Sequence, residues 1–167
     1  MNTKHQSGSA GFLAADHDHD VCTGDLVARA ERVCARRGSR LTGLRRSVLV
    51  AVAQGHEAAG AYDVIERLAV TGPRPAPMSV YRALDFLASH GLVHKIESRN
   101  AFVACSHGQH EGEAVLMVCD GCGAVAEFEA AASMAALADA ARGTGFRPRR
   151  TVVELLGRCL GCAGAEG

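Results

Sequence analysis

MSVYRALDFLASHGLVHKIESRNAFVAC, residues 78–105, changes its period part-way along. In its first half Val80, Leu84 and Leu87 recur at i, i+4 and i+7, one stripe of an α-helix, leaving Ser79 and Arg82 on another face near the N-terminus. Gly91 supplies the stop, because glycine adopts the left-handed helix cap without a Cβ clash. LVHKIES and AFVAC are then two short β-rich runs on either side of Arg99 and Asn100, the composition of a hairpin.

Upstream the pattern is helical throughout. From Asp25, Leu26, Ala30, Val33 and Cys34 recur at three- and four-residue steps until Gly38. Thr42 is a good N-cap for a second helix, with Leu44, Val48, Leu49 and Val52 as its apolar stripe and Arg45 and Arg46 left for solvent or a partner. AYDVIERLAV, residues 61–70, repeats the pattern over a shorter span, and TGPRPAP, residues 71–77, cannot continue a helix. Three helices, a turn, a fourth helix with arginine near its start and a hairpin is the order of a winged helix-turn-helix. In that fold the last helix lies in the major groove, where an arginine at its N-terminal end reaches guanine O6 and N7 or a phosphate.

After Cys105 the character changes. SHGQHEGE is polar and loop-like, AVLMVC and AVAEFE read as strands flanking a CxxC knuckle, residues 130–142 form an Ala-rich helix, and TVVELLG is a last strand before RCLGC. A sheet this small has edges better paired or covered, which favours burial against a second copy. The sequence therefore predicts an α/β chain: an N-terminal winged helix-turn-helix domain followed by a small α/β dimerisation domain with a four-cysteine zinc site. The expected boundaries are a flexible tail over 1–24, the DNA-binding domain over 25–104, a hinge over 105–114 and the dimerisation and metal-binding domain over 115–167.

Cys119, Cys122, Cys159 and Cys162 form two CxxC pairs separated by 36 residues. Four thiolates complete a tetrahedral zinc site, and CxxC lets two sulfurs from one turn reach adjacent corners. A redox dithiol would instead open a helix with a lowered thiol pKa, whereas Gly123 and a strand follow here. The closed set offers no vacancy for chemistry, so the chain does not read as an enzyme, and a zinc or thiol oxidoreductase is the rival of another class. A second, looser set comprises His94, Cys105, His107 or His110, and Glu127, drawn from the hairpin, the junction and the strand after the first CxxC. One ion there would tie the two domains together, and one thiolate among imidazole and carboxylate favours zinc over harder iron and manganese. On the residues alone a simply buried hairpin cysteine and solvated loop histidines remain open.

The charge is zero overall but uneven: residues 25–100 carry twelve Lys and Arg against seven Asp and Glu, residues 101–167 five against eight. A basic segment joined to an acidic one suits a polyanion-binding module attached to something else. No apolar run approaches the ~18 residues that span a bilayer, and the leading residues lack a signal-peptide core, so a cytoplasmic protein is expected. Seven cysteines in a reducing compartment then point to metal rather than disulfides. Cys22 reads as a tail thiol and Cys34 as a buried helix residue.

These segments together resemble the ferric uptake regulator family, in its zinc-responsive branch, from about Asp25 to Cys162. The resemblance rests on RLTGLRRSVL, AYDVIERL, SVYRALDFLASHGLVHKIES, CDGCGAVAEFE and LGRCLGCAG. It implies a homodimeric transcriptional repressor that binds a palindromic double-stranded DNA operator when zinc is plentiful and shuts off zinc uptake genes. Tyr62 and Arg82 would be DNA contacts, with Ser79 and Arg45 beside them. His94, Cys105 and Glu127 would hold regulatory zinc, with His110 preferred to His107 as the fourth ligand, and the paired cysteines would hold structural zinc, two Zn2+ per chain. Gly43 and Leu44 depart from the proline and glutamine common in the family. The dense His/Asp cluster of the iron and peroxide branches is absent from SHGQHEGE, which weighs against them; a same-fold regulator sensing nickel, iron or peroxide is the nearer alternative.

Overall fold

The computed structural model describes residues 19–55, 57–105, 115–128, 130–149 and 151–164. Of the 105–114 hinge only Cys105 is among them, so His107 and His110 lie outside the described residues.

Helix α1 spans His19–Arg36, α2 Gly43–Ala53, α3 Ala61–Thr71 and α4 Pro77–Ser89. The α1 boundary corrects the expected 1–24 tail: residues 19–24 are helical. Once Leu26, Ala30 and Val33 nucleate a packed helix, each upstream residue adds a hydrogen bond at small further entropic cost. Thr42 caps α2 by accepting from the Arg45 amide at 3.5 Å. Within α2, Val48, Leu49 and Val52 are fully buried, but Leu44 is exposed, in the first turn ahead of the contact with the bundle. Pro77 starts α4, where its missing N–H costs nothing, and Gly91 ends it at φ +65. Val80, Leu84 and Leu87 form its fully buried stripe, packed with α2 and α3 in one core.

The hairpin follows as β2, Val93–Ile96, and β3, Ala101–Ala104, joined by a single 3-10 turn over Glu97–Arg99 with Asn100 left-handed. A two-residue strand β1, Ala59–Gly60, pairs with β3 on its far side, giving the order β1-β3-β2; the sequence showed no sign of it because Gly60 also serves as the N-cap of α3. The architecture is a winged helix-turn-helix followed by a small α/β unit.

That second unit contains β4, Val115–Cys119, β5, Val125–Phe128, α5, Ala131–Gly143, β6, Val153–Gly157, and α6, Leu160–Ala163. Its sheet order is β5-β4-β6, with β4 antiparallel to β5 and parallel to β6. Of α5 only Met134 is buried, while Leu137, Phe146, Leu155, Leu156 and Leu160 are exposed.

The two sheets meet face to face. Side chains alternate across a strand, so His94 and Ile96 of β2 share one face of the wing with their cross-strand partners Val103 and Ala101 and with Cys105, two residues beyond Val103. In the second sheet Leu116 sits in one row with Glu127 of β5 and Glu154 of β6, all on one face. Ile96, Val103, Leu116 and Val118 form the buried apolar seam between these faces.

Candidate metal centres and nucleic-acid face

At one edge of the seam His94, Cys105 and Glu127 converge, with their ligand atoms all within 4.8 Å of one another. His94 Nε2 lies 3.1 Å from Glu127 Oε1, and the Cys105 thiol donates to the same oxygen at 3.8 Å. Pairing of β2 with β3 sets this up, because Cys105 continues the ladder by donating its amide to the Leu92 carbonyl at 3.1 Å. Cys105 is also held by Arg29 of α1, whose guanidinium donates to the Cys105 carbonyl. Sequence reading missed Arg29, since nothing in a helical arginine announces a contact 76 residues away.

Glu127 is 7 % exposed, the one buried charged side chain among the described residues. Burying a carboxylate costs several kcal/mol unless a cation is beside it. Here the imidazole takes that part: burial opposes charge on His94, but hydrogen bonds and attraction to Cys105 and Glu127 outweigh it and push the ring up to about 9. A proton holds the place a cation would take. Nitrogen, sulfur and oxygen donors in one buried cluster fit zinc, and three ligands leave room for a fourth.

The four cysteines gather at the far end of β4 and β6. Parallel pairing brings Cys119 opposite Gly157, so the turn after β4 faces the segment after β6. Cys122 and Cys159 have sulfurs 3.8 Å apart, and the Cys159 amide donates to the Cys119 sulfur at 3.3 Å. Zinc–sulfur bonds of about 2.3 Å at tetrahedral angles separate sulfurs by about 3.8 Å, so the set fits. No disulfide links them. Amide donation from Cys159 and Cys122 holds the Cys119 thiol down at about 6, whereas the neighbouring sulfurs of Cys159, Cys122 and Cys119 push Cys162 up to about 12. Four thiolates cannot share this space without a cation. A Cβ on Gly121 would come within 2.9 Å of Cys162 Sγ and Cβ, so only glycine lets this turn close around the set.

On the helical unit Tyr62 is 64 % exposed at the start of α3. Arg82 is exposed on α4, and its guanidinium makes no hydrogen bond or ion pair among the described residues. Ser79 is half-buried one turn earlier. Arg45 is half-buried rather than left for solvent, whereas Arg46 is exposed. The Arg45 guanidinium stacks 3.4 Å from the centre of the Phe86 ring on α4 and donates to the Arg40 carbonyl at 2.6 Å, and Arg46 pairs with Glu31. An arginine over an aromatic ring gains from the ring's negative face, a pairing invisible in spacing alone. Cys34 is buried in α1, outside both sulfur-bearing clusters; the side chain of Cys22 is not among those described.

The sequence profile of the Ferric uptake regulator family matches residues 36–156. The "Zinc uptake regulation protein" of Escherichia coli (strain K12) is 39% identical over 145 residues, spanning 86% of this chain and 85% of the relative. Among solved structures, "Zinc Uptake Regulator Complexed With Zinc AND DNA" superposes with a TM-score of 0.82 at 39% identity, covering 86% of this chain and 97% of the other. The holo form of XcZur, 38% identical and covering 84% of this chain and 98% of its own, gives 0.78. Its apo form, 36% identical and covering 86% and 99%, gives 0.50. With the family profile spanning most of its length and a relative of this identity matching over more than four-fifths of both chains, the chain belongs to the Ferric uptake regulator family.

Proposed function

We propose that this protein is a zinc-dependent, DNA-binding transcriptional repressor of zinc uptake genes, acting as a homodimer on a palindromic operator with zinc as co-repressor. The observation that carries the reading is the junction of His94, Cys105 and Glu127, because two of these residues belong to the wing and the third to the second sheet. Zinc bound there supplies one positive centre shared by an imidazole, a thiolate and a carboxylate. His94 and Cys105 pull the wing onto β5, and Glu127 holds the second sheet to them, so the orientation of α4 depends on this junction. His110 is the fourth ligand in this reading.

The unequal fit to the two forms of XcZur supports it. Identities of 38 and 36% differ little, whereas TM-scores of 0.78 and 0.50 differ greatly, so this chain is folded more like the holo form than like the apo form. Moving such an equilibrium from 1:99 to 99:1 takes about 5.5 kcal/mol of differential binding, within reach of a site shared between modules.

On this reading the DNA-binding unit is the expected 25–104 extended upstream to the start of α1 at His19, with 105–114 as the hinge and 115–167 as the dimerisation and metal-binding unit. Cys119, Cys122, Cys159 and Cys162 hold a structural zinc, the second ion of the chain; a set with four thiolates is closed and offers no position for catalysis. Arg82, Ser79 and Tyr62 face the DNA, and Arg45 acts by bracing Phe86 on α4. Exposed Leu137, Leu155, Leu156 and Leu160 are the apolar surface for the second copy. No described helix is long and apolar enough to cross a membrane, and the protein works in the cytoplasm on this reading.

Cys105→Ser tests the assignment. The variant should remain a dimer with one tightly held zinc per chain and lose zinc-dependent operator binding; an undiminished zinc response would sink it.

A further inference from the structure

The row Glu127–Leu116–Glu154 places two carboxylates on one face of the second sheet with a leucine between them. Glu127 meets His94 and Cys105 on one side of the seam. On the other side Glu154 accepts the Glu97 amide at 2.6 Å and the Ser98 amide at 3.2 Å, capping the 3-10 turn at the tip of the wing. Arg99, from the same turn, donates to the Cys119 carbonyl at 3.0 Å and to Asp120 at 3.2 Å. The wing is thus gripped at two places along one row, and only the first has metal-ligand chemistry.

We propose that Glu154, with Arg99, is a second clasp that positions the wing on the C-terminal sheet and so raises the affinity of the His94, Cys105 and Glu127 set for zinc. The proposal rests on the regulatory reading of that set. A carboxylate inside a strand otherwise made of Val153, Leu155, Leu156 and Gly157 is out of place unless it meets donors, and it meets two backbone N–H groups that a tight turn leaves without ladder partners. Burial would push the Glu154 carboxyl up, but hydrogen bonds from Ser98 and Glu97 prevail and hold it below its ordinary value, in keeping with an engaged carboxylate. The energetic consequence follows from preorganisation. If the wing tip is already fixed to β6, ordering the junction costs zinc less, and the apparent affinity rises by the fraction of molecules held closed. Arg99 extends the grip to the four-cysteine knuckle, because the carbonyl it binds belongs to Cys119. Folding of the knuckle therefore also sets the wing. Glu154 is a positioning residue in this scheme: it touches neither metal set directly.

The experiment uses the full chain with zinc alone as the probe. Backbone hydrogen exchange is followed at Glu97 and Ser98, and zinc affinity at the weaker site is measured by chelator competition, in wild type, Glu154→Ala, Glu154→Gln and Cys105→Ser. Glu154→Ala should speed exchange at both amides in the zinc-loaded protein, lower weaker-site affinity by about fivefold and leave the tight zinc in place. Glu154→Gln, which keeps one acceptor oxygen, should fall between. Unchanged exchange at residues 97 and 98 would overturn the clasp. Faster exchange with unchanged weaker-site affinity would reduce Glu154 to a local cap and overturn the coupling. Should Glu154→Ala lose its tight zinc or fail to fold, Glu154→Gln and Arg99→Ala decide: both should weaken the second zinc, and unaltered affinity in both refutes the proposal. Cys105→Ser separates the two readings, since loss of weaker-site zinc there with no effect at Glu154 removes the clasp alone, whereas no effect of Cys105→Ser removes the regulatory reading itself.

Discussion

Glu127 and His94 show how a buried charge reports a site. Burial lowers the His94 pKa, but hydrogen bonds and attraction to Cys105 and Glu127 outweigh it and raise it from 6.5 to about 9, so in the zinc-free protein the stabilisation its proton gives is fully present below pH 6.5 and is lost as pH rises through about 9. Zinc needs the ring without its proton, and its binding therefore runs the other way. Weaker-site affinity should fall as pH drops from 9 to 6, by about tenfold per unit for one displaced proton, and chelator competition across that range measures it. Glu127→Gln removes the charge while retaining shape; NMR titration of the His94 ring should show its pKa falling, and weaker-site zinc affinity should drop at least about tenfold. Gly121 is the residue-scale constraint on the other cluster. Gly121→Ala puts a methyl group against Cys162 Sγ, and the expected outcome is loss of tightly held zinc together with unfolding of the second unit, read by metal content and circular dichroism.

Among the elements, α4 carries the most. Its buried stripe and its exposed arginine lie on different faces, so stability and recognition separate by mutation. Leu84→Ala should cost about 2–5 kcal/mol in urea unfolding, the usual penalty for a leucine cavity, while leaving zinc content per folded chain unchanged. Arg82→Ala should weaken operator binding with unchanged stability and zinc content, checked by fluorescence anisotropy on operator DNA; equal affinity would take Arg82 out of the interface. The wing is the complementary element. One of its faces holds Val93 and Phe102 in the main core, and the other delivers His94, Ile96, Val103 and Cys105 to the seam, so a four-residue strand serves both units by alternation alone.

At the scale of the molecule, the helical unit has its own core and the second unit has little of one. Leu155 and Leu156 are 49 and 56 % exposed on β6, and α5 buries only Met134. A second copy resolves this imbalance: Leu155→Glu combined with Leu156→Glu should shift the protein from dimer to monomer in analytical ultracentrifugation, with operator affinity lost because a palindrome rewards two half-sites held at fixed spacing. Helices α2 to α4, the hairpin and the two CxxC pairs are legible in the sequence, since periods of 3.6 and 2 and the CxxC spacing are short-range signals, whereas His94, Cys105 and Glu127 are named there only as a loose candidate set. Even Glu154 left a trace, as a charge interrupting an apolar strand. What the trace meets could not be read there. The β4–β6 register places Glu154 beside Leu116 and across from Glu127, and that register joins segments separated by more than thirty residues of sequence. Tertiary structure likewise gave Arg45 to Phe86, Arg29 to Cys105 and Arg99 to the cysteine knuckle. Local patterning determines which elements form and which face each buries; which rows of those faces meet is settled only by packing the two sheets together.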